Sequence, residues 1–223
     1  MSSELAGLVL ALADNKQLLG LRYAEWATRS PSLEADIAAA AMGLDDLGHS
    51  RVLYGCLEPL GADPRGPERE NDPESYRNLA YFDRPWESWQ QFVAANAVLD
   101  TAFSVVLQSL VEGPDEVLRT RLRKMLQEER YHFLHGRSWL RQGVEQAWLE
   151  RAWREALGFL GPPDDGLAAL APQLAGRLEM EVPALEIDWS GWDPVRRRFE
   201  PGGIDPATFD MMRGLEERRF TPA

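Results

Sequence analysis

ALADNKQLLGLRYAEWATRSPSLEADIAAAAMGLDDLGHSR, residues 11–51, holds two helical stretches joined at Ser30-Pro31-Ser32. The first, from about Glu4 to Thr28, carries Leu12, Lys16, Leu19, Tyr23 and Trp26 at helical spacing, so Lys16 shares a stripe with apolar and aromatic side chains and is expected to point inward. The second runs to about Leu57, with Ser30 as N-cap and Pro31 at the first helical position, and its inner stripe is Met42, Asp46, His49 and Leu53. Asp46 lies 15 residues after Pro31 and Lys16 lies 15 before it. In an antiparallel helix hairpin, positions equally far from the turn stand at the same height, so Lys16 is expected to meet Asp46.

The same relation recurs around Gly113-Pro114-Asp115. Residues 86–112 place Val93, Ala97, Asp100, Phe103 and Leu107 on one helix face, and residues 116–142 align Met125, Glu129, His132 and Trp139. Asp100 lies 14 residues before Pro114 and Glu129 lies 15 after it. The chain has three histidines, and two of them close an acid-x-x-His step, Asp46 to His49 and Glu129 to His132. An acid and a histidine at i and i+3 share a helix face, where both reach one buried polar centre or one metal ion. One acid from each of two helices, joined by an acid-x-x-His from each of the other two, is the layout of an all-α ferritin-like di-iron four-helix bundle. Here Lys16 stands where one of the carboxylates would be.

Residues 61–85 hold four prolines and many charges, which rules out a continuous helix. At about 3.3 Å per residue such a connector spans the length of a long helix, as a ferritin-like crossover between helices 2 and 3 requires. Further helices are expected at 144–161, stopped by Gly161-Pro162-Pro163, at about Gly166 to Glu181, and near Pro206 to Glu217. We divide the chain into a bundle domain, 1–182, and a C-terminal extension, 183–223, whose Trp189 and Trp192 would anchor it to the bundle or to a partner.

Among 223 residues the formal charge is −12, which argues against nucleic acid or an anionic membrane surface as partner. A single cysteine, Cys56, excludes an intrachain disulfide and fits a reducing compartment. The apolar run Leu5 to Ala13 is too short to span a bilayer and lacks a basic flank, so a soluble, cytoplasmic protein is expected.

Asp46, His49, Asp100, Glu129 and His132 are the candidate metal ligands. With Lys16 replacing a carboxylate, the three acids are balanced either by one divalent ion beside the lysine or by protonation of both histidines. His135 reads as a satisfied surface or rim residue rather than a ligand, Cys56 as core, and Tyr23 as an aromatic core residue, with a radical or hydrogen-bonding role as the alternative.

Residues 11–51 together with LQEERYHFLHGRSW, 126–139, make the chain similar to the phenylacetic acid catabolic family, the subunits of the bacterial phenylacetyl-CoA ring-1,2-epoxidase. The resemblance covers about the first 160 residues. It implies a multicomponent monooxygenase in which a catalytic di-iron subunit pairs with a structurally similar, non-catalytic one and is served by a reductase. The catalytic type carries Glu at the position of Lys16, and Glu, His, Asp, Glu and His at those of Asp46, His49, Asp100, Glu129 and His132. Lys16 moves the chain toward the structural partner, although that type often lacks the first histidine and His49 is present here. The expectation is a non-catalytic or weakly metal-binding subunit, working beside a related bundle subunit in a homo- or hetero-oligomer, with iron or manganese only if the site is occupied. The alternatives are a catalytic metal-dependent monooxygenase of the same family and a stand-alone metal-binding bundle.

Overall fold

A computed structural model describes residues 2–63, 72–179 and 181–220, with side chains described for 3–213 among them. Among the described residues eight helices follow one another: α1 (Ser2–Ala24), α2 (Leu33–Gly55), α3 (Trp89–Glu112), α4 (Glu116–Arg121), α5 (Arg123–Leu140), α6 (Gln146–Leu160), α7 (Ala171–Leu178) and α8 (Pro206–Phe220). There is no strand among the described residues. The four-helix core is α1, α2, α3 and α5, and the architecture is that of a ferritin-like helical bundle.

Local sequence chooses the helix ends with some departures from expectation. The N-cap of α2 is Ser32, in extended conformation and accepting from the Ala35 amide at 3.3 Å, not Ser30, so Pro31 stands before the cap and not at the first helical position. Ser30 is occupied elsewhere: its hydroxyl donates to the Trp26 carbonyl at 2.7 Å and its amide donates to Asp36 Oδ1 at 2.9 Å. The stretch read as one helix over 116–142 bends at Leu122, which separates α4 from α5 while Leu118 and Leu122 both stay buried. Gly161 closes α6 at φ 90, a left-handed geometry that a side chain would strain.

Two close approaches set the bundle's spacing. A Cβ on Gly20 would lie 2.9 Å from the Gly43 carbonyl oxygen and one on Gly43 would lie 2.9 Å from that of Gly20, so α1 and α2 cross almost backbone to backbone. A Cβ on Gly136 would lie 2.9 Å from the Ala97 Cα, which brings α5 equally near α3. Inside α3, residues Ala95–Asp100 form a π turn, a widened helical turn. Such turns alter which side chains share a face, and here Asn96 and Asp100 are both buried. α3 is long and apolar enough to cross a membrane, yet 89% of its apolar window is buried within the protein, as expected of a central core helix.

The connection from α2 to α3 covers residues 56–88, as a long crossover requires; the part at 64–71 lies outside the described residues, as does Met180 of the expected sixth helix. Polar side chains of α1 hold the described part of the crossover. Asp14 Oδ2 accepts from the Arg77 amide at 2.8 Å, Asn15 Oδ1 accepts from the Leu79 amide at 2.9 Å, and Asn15 Nδ2 donates to the Arg77 carbonyl at 3.1 Å. Leaving such buried backbone groups unpaired would cost about 1–3 kcal/mol each. On the other side, α6 packs on α3 through Phe103 and Phe159, whose rings meet edge to face at 4.9 Å.

Candidate metal centre

Lys16, Asp46, His49, Asp100, Glu129 and His132 converge between α1, α2, α3 and α5, each at most 3% exposed. Lys16 does not snorkel outward. Its Nζ donates to Asp46 Oδ1 at 2.9 Å, to Glu129 Oε1 at 2.5 Å and to Asp100 Oδ1, so one ammonium bridges three helices besides its own. The ammonium's three N–H groups match three carboxylate oxygens, which is all the donor capacity that it has.

The imidazoles complete the cluster. His49 Nδ1 lies 2.9 Å from Glu129 Oε1 and 3.4 Å from Asp46 Oδ1, and His132 Nδ1 lies 3.0 Å from Asp100 Oδ2. Each ring's outer nitrogen meets a further acid: His49 Nε2 lies 2.9 Å from Glu128 Oε2, and His132 Nε2 lies 3.5 Å from Asp45 Oδ2. With an acid on both sides, each ring is most stable as the imidazolium; His132 has a hydrogen-bond partner at both nitrogens, whereas His49 has one at Nε2 and only charge contacts at Nδ1.

Protonation follows this layout. Burial opposes charge on Lys16, but the carboxylates of Asp100, Asp46 and Glu129 overcome it and hold the ammonium pKa well above the ordinary lysine value. Burial likewise opposes charge on His49, yet its bonds to Asp46 and Glu129 raise the imidazole to about 10. His132 is raised well above its usual range against burial, chiefly by Asp100. Burial would lift Glu129, but Lys16 and His49 hold it well below the usual carboxylate range. Burial and the neighbouring Glu129 push Asp100 up. Lys16, His132 and the Tyr23 hydroxyl all point donors at Asp100, so its oxygens act as acceptors. Three acids thus face one lysine and two imidazoles.

Of the supporting groups, the sequence offered only Tyr23, and its hydrogen-bonding role only as the second choice. Tyr23 is more than core packing, because its hydroxyl donates to Asp100 Oδ2 at 2.9 Å and accepts from Asn96 Nδ2 at 3.1 Å. Ser104 donates to Glu129 Oε2 at 2.6 Å. Asn96 and Ser104 each lie one turn from Asp100 in sequence, a signal that could have found them; the roles of Asp45 and Glu128 were legible only as neighbours of the inner acids. His135 is half-buried, with Nδ1 2.9 Å from Asn96 Oδ1, and stands behind the cluster rather than in it. Burial, helped by His132, lowers it to about 4. Cys56 is core, its thiol donating to the Val52 carbonyl at 3.2 Å.

Asp46, Asp100, Glu129 and His132 each offer a ligand atom within 4.8 Å of the others, so the cluster has the composition and compactness to hold a metal ion. The fit fails as the groups are arranged. Of the six oxygens of Asp46, Asp100 and Glu129, only Asp46 Oδ2 is without a hydrogen-bond partner, and the space between them holds the Lys16 ammonium. A cation with several open carboxylate lone pairs would require Lys16 to leave or to lose its proton.

A family described as phenylacetic acid catabolic protein matches residues 1–190. Two subunits of the 1,2-phenylacetyl-CoA epoxidase of Escherichia coli (strain K12), those designated C and A, are relatives. The C-designated one is 29% identical over 166 residues, which is 68% of this chain and 66% of the relative. The A-designated one is 26% identical over 163 residues, 69% of this chain and 53% of the relative. The match therefore spans about two thirds of the length of the first relative and about half that of the second. With the helical bundle and its buried acid and histidine cluster, this extent of match means that the chain belongs to the phenylacetic acid catabolic protein family.

Proposed function

We propose that the chain is a structural, non-catalytic subunit of a multicomponent oxygenase of the phenylacetyl-CoA ring-epoxidase type, working in the cytoplasm beside a related bundle subunit that carries the metal. The observation that supports this reading is the Lys16 ammonium among Asp46, Asp100 and Glu129, where it supplies the positive charge a metal ion would otherwise bring. The candidate ligands Asp46, His49, Asp100, Glu129 and His132 then act with Lys16 as a salt-bridged core that ties the four helices together. A second reading, a catalytic metal centre, draws on the close grouping of Asp46, Asp100, Glu129 and His132, with His49 beside Glu129. In that case Asp46, His49, Asp100, Glu129 and His132 would hold the ion, which would supply oxygen activation.

Metal analysis and thermal melts of three proteins, purified without chelators, separate the two. Under the structural reading the parent carries far less than one iron or manganese per chain, and added ferrous iron leaves its melt unchanged. Lys16→Ala leaves buried carboxylates without their counter-charge and is expected to cost about 3–5 kcal/mol. Lys16→Glu restores four acids, so it should be less stable than the parent without metal and recover when ferrous iron or manganese is added, because a ligand that binds only the folded state stabilises it. A parent that holds stoichiometric iron and is stabilised by it would make the catalytic reading the better one.

A further inference from the structure

The outer face of α2 is apolar where an ordinary surface helix is polar. Leu33 is 70% exposed, Ile37 62% and Leu44 73%, and Ala41, Gly48 and Val52 continue the same face at three- and four-residue spacing. This face is turned away from Met42, Asp46, His49 and Leu53, which α2 directs into the bundle. Single exposed apolar residues need no explanation, but a continuous row along one helix marks a contact surface.

We infer that this face docks antiparallel against α2 of a second copy of this chain, about a two-fold axis level with the midpoint between Met42 and Gly43. The face is self-complementary. An isologous two-fold contact sets each residue opposite the one equally far from the axis on the other side. Around that midpoint Ile37 faces Gly48 of the second copy, Leu44 faces Ala41, and Leu33 faces Val52. Ile37 and Leu44 each meet a small residue, which lets ridges enter grooves at close helix spacing near the axis, and Leu33 and Val52 close the apolar strip at its ends. At each end Glu34 stands at the height of Arg51 from the second copy, so two opposite-charge pairs flank the apolar strip. A parallel pairing in register would oppose Glu34 to Glu34, Ile37 to Ile37 and Gly48 to Gly48, with repulsion, crowding and a gap in turn. Tyr131 (73%) and Leu134 (47%) of α5 are exposed apolar side chains too, and aromatic side chains are enriched in such contacts. The inference concerns the chain by itself and does not depend on the reading of the Lys16 cluster.

Light scattering on size-exclusion fractions should give twice the 25.1 kDa chain mass. Leu44→Glu should return the monomer mass with unchanged helical circular dichroism, since Leu44 is exposed in the single chain. Glu34→Arg and Arg51→Glu should each weaken association by about tenfold, through two lost pairs and two new repulsions. The double exchange, Glu34→Arg with Arg51→Glu, should restore it, a rescue that general destabilisation would not produce. A monomer at all concentrations overturns the inference. So does a dimer indifferent to Leu44→Glu, or one that the double exchange fails to restore, because its axis then lies on another face. If the chain is monomeric but Leu44→Glu blocks capture of a co-expressed catalytic-type subunit, the face belongs to that partner and the second copy is excluded.

Discussion

Lys16 and His49 show how a buried cluster can be held together by its proton count. His49 lies between Asp46 and Glu129 on one side and Glu128 on the other, and the folded state raises its pKa to about 10 from the ordinary value near 6.5. A group whose pKa rises on folding adds stability that is complete below its unfolded pKa and is lost as the pH climbs through the folded one. In metal-free protein the urea midpoint should therefore fall between about pH 6.5 and about 10. His49→Gln should start from a lower midpoint and fall less over that window, because the titrating group is gone. A parent whose midpoint is flat through this range would show that the cluster does not draw its stability from the imidazolium. Lys16 does not enter this window, since its carboxylates hold it charged well above the ordinary lysine value.

At the scale of the element, the cluster depends on how near α1 and α2 can come. Gly20 and Gly43 cross one turn from Lys16 and Asp46, and a Cβ on either would meet the other's backbone oxygen at 2.9 Å, a contact that no side-chain rotation relieves. Gly43→Ala is expected to raise intrinsic helix propensity by about 1 kcal/mol. Forcing the helices apart costs about 1–3 kcal/mol and also lengthens the bond from Lys16 to Asp46. Net destabilisation is the expected outcome, visible as a lower thermal midpoint. Gly48→Ala, on the open face with nothing within 4 Å of the added carbon, is the matched control and should be neutral or stabilising in the monomer. If both variants gain stability, the glycine crossing does not set the helix spacing.

For the whole molecule, the extension after residue 182 does more than hang from the bundle. Trp192 Nε1 donates to the Gly158 carbonyl at 2.9 Å, and Arg198, 1% exposed, bonds Asp83 Oδ2 at 2.6 Å and the Asn78 carbonyl at 3.1 Å. Arg22 of α1 donates to Thr208 Oγ1 and to the Phe82 carbonyl, each at 2.9 Å, while Ile204, Phe209 and Met212 are buried. The tail thereby ties α1, the crossover and α6 into one body. A chain ended at Val182 should keep the helical circular dichroism of the bundle but unfold at a clearly lower denaturant concentration. Each buried apolar side chain lost is worth about 1.5–3 kcal/mol, and Arg22 and Asp83 would lose partners. Unchanged stability would mean that the tail is a separate appendage; loss of all cooperative unfolding would mean that 1–182 is not a domain by itself.

Helix positions, the crossover and the membership of the buried cluster were legible in the order of residues alone, because helical periodicity and symmetric distances from Pro31 and Pro114 are properties of one dimension. Those distances alone put Lys16, Asp46, His49, Asp100, Glu129 and His132 at one height. They could not say that a single ammonium reaches three carboxylates at once, or that Tyr23, Asn96, Ser104, Asp45 and Glu128 supply the bonds around them. Nor could they place the π turn over Ala95–Asp100, the bend at Leu122 or the cap at Ser32. Those outcomes turn on interhelical distances and on which donors remain unclaimed, and both are decided only when the glycine crossings bring the helices together. The sequence by itself determined which charges would be buried; the tertiary structure decided their pairing, because a side chain's bond depends on a separation of a few ångströms that periodicity does not encode.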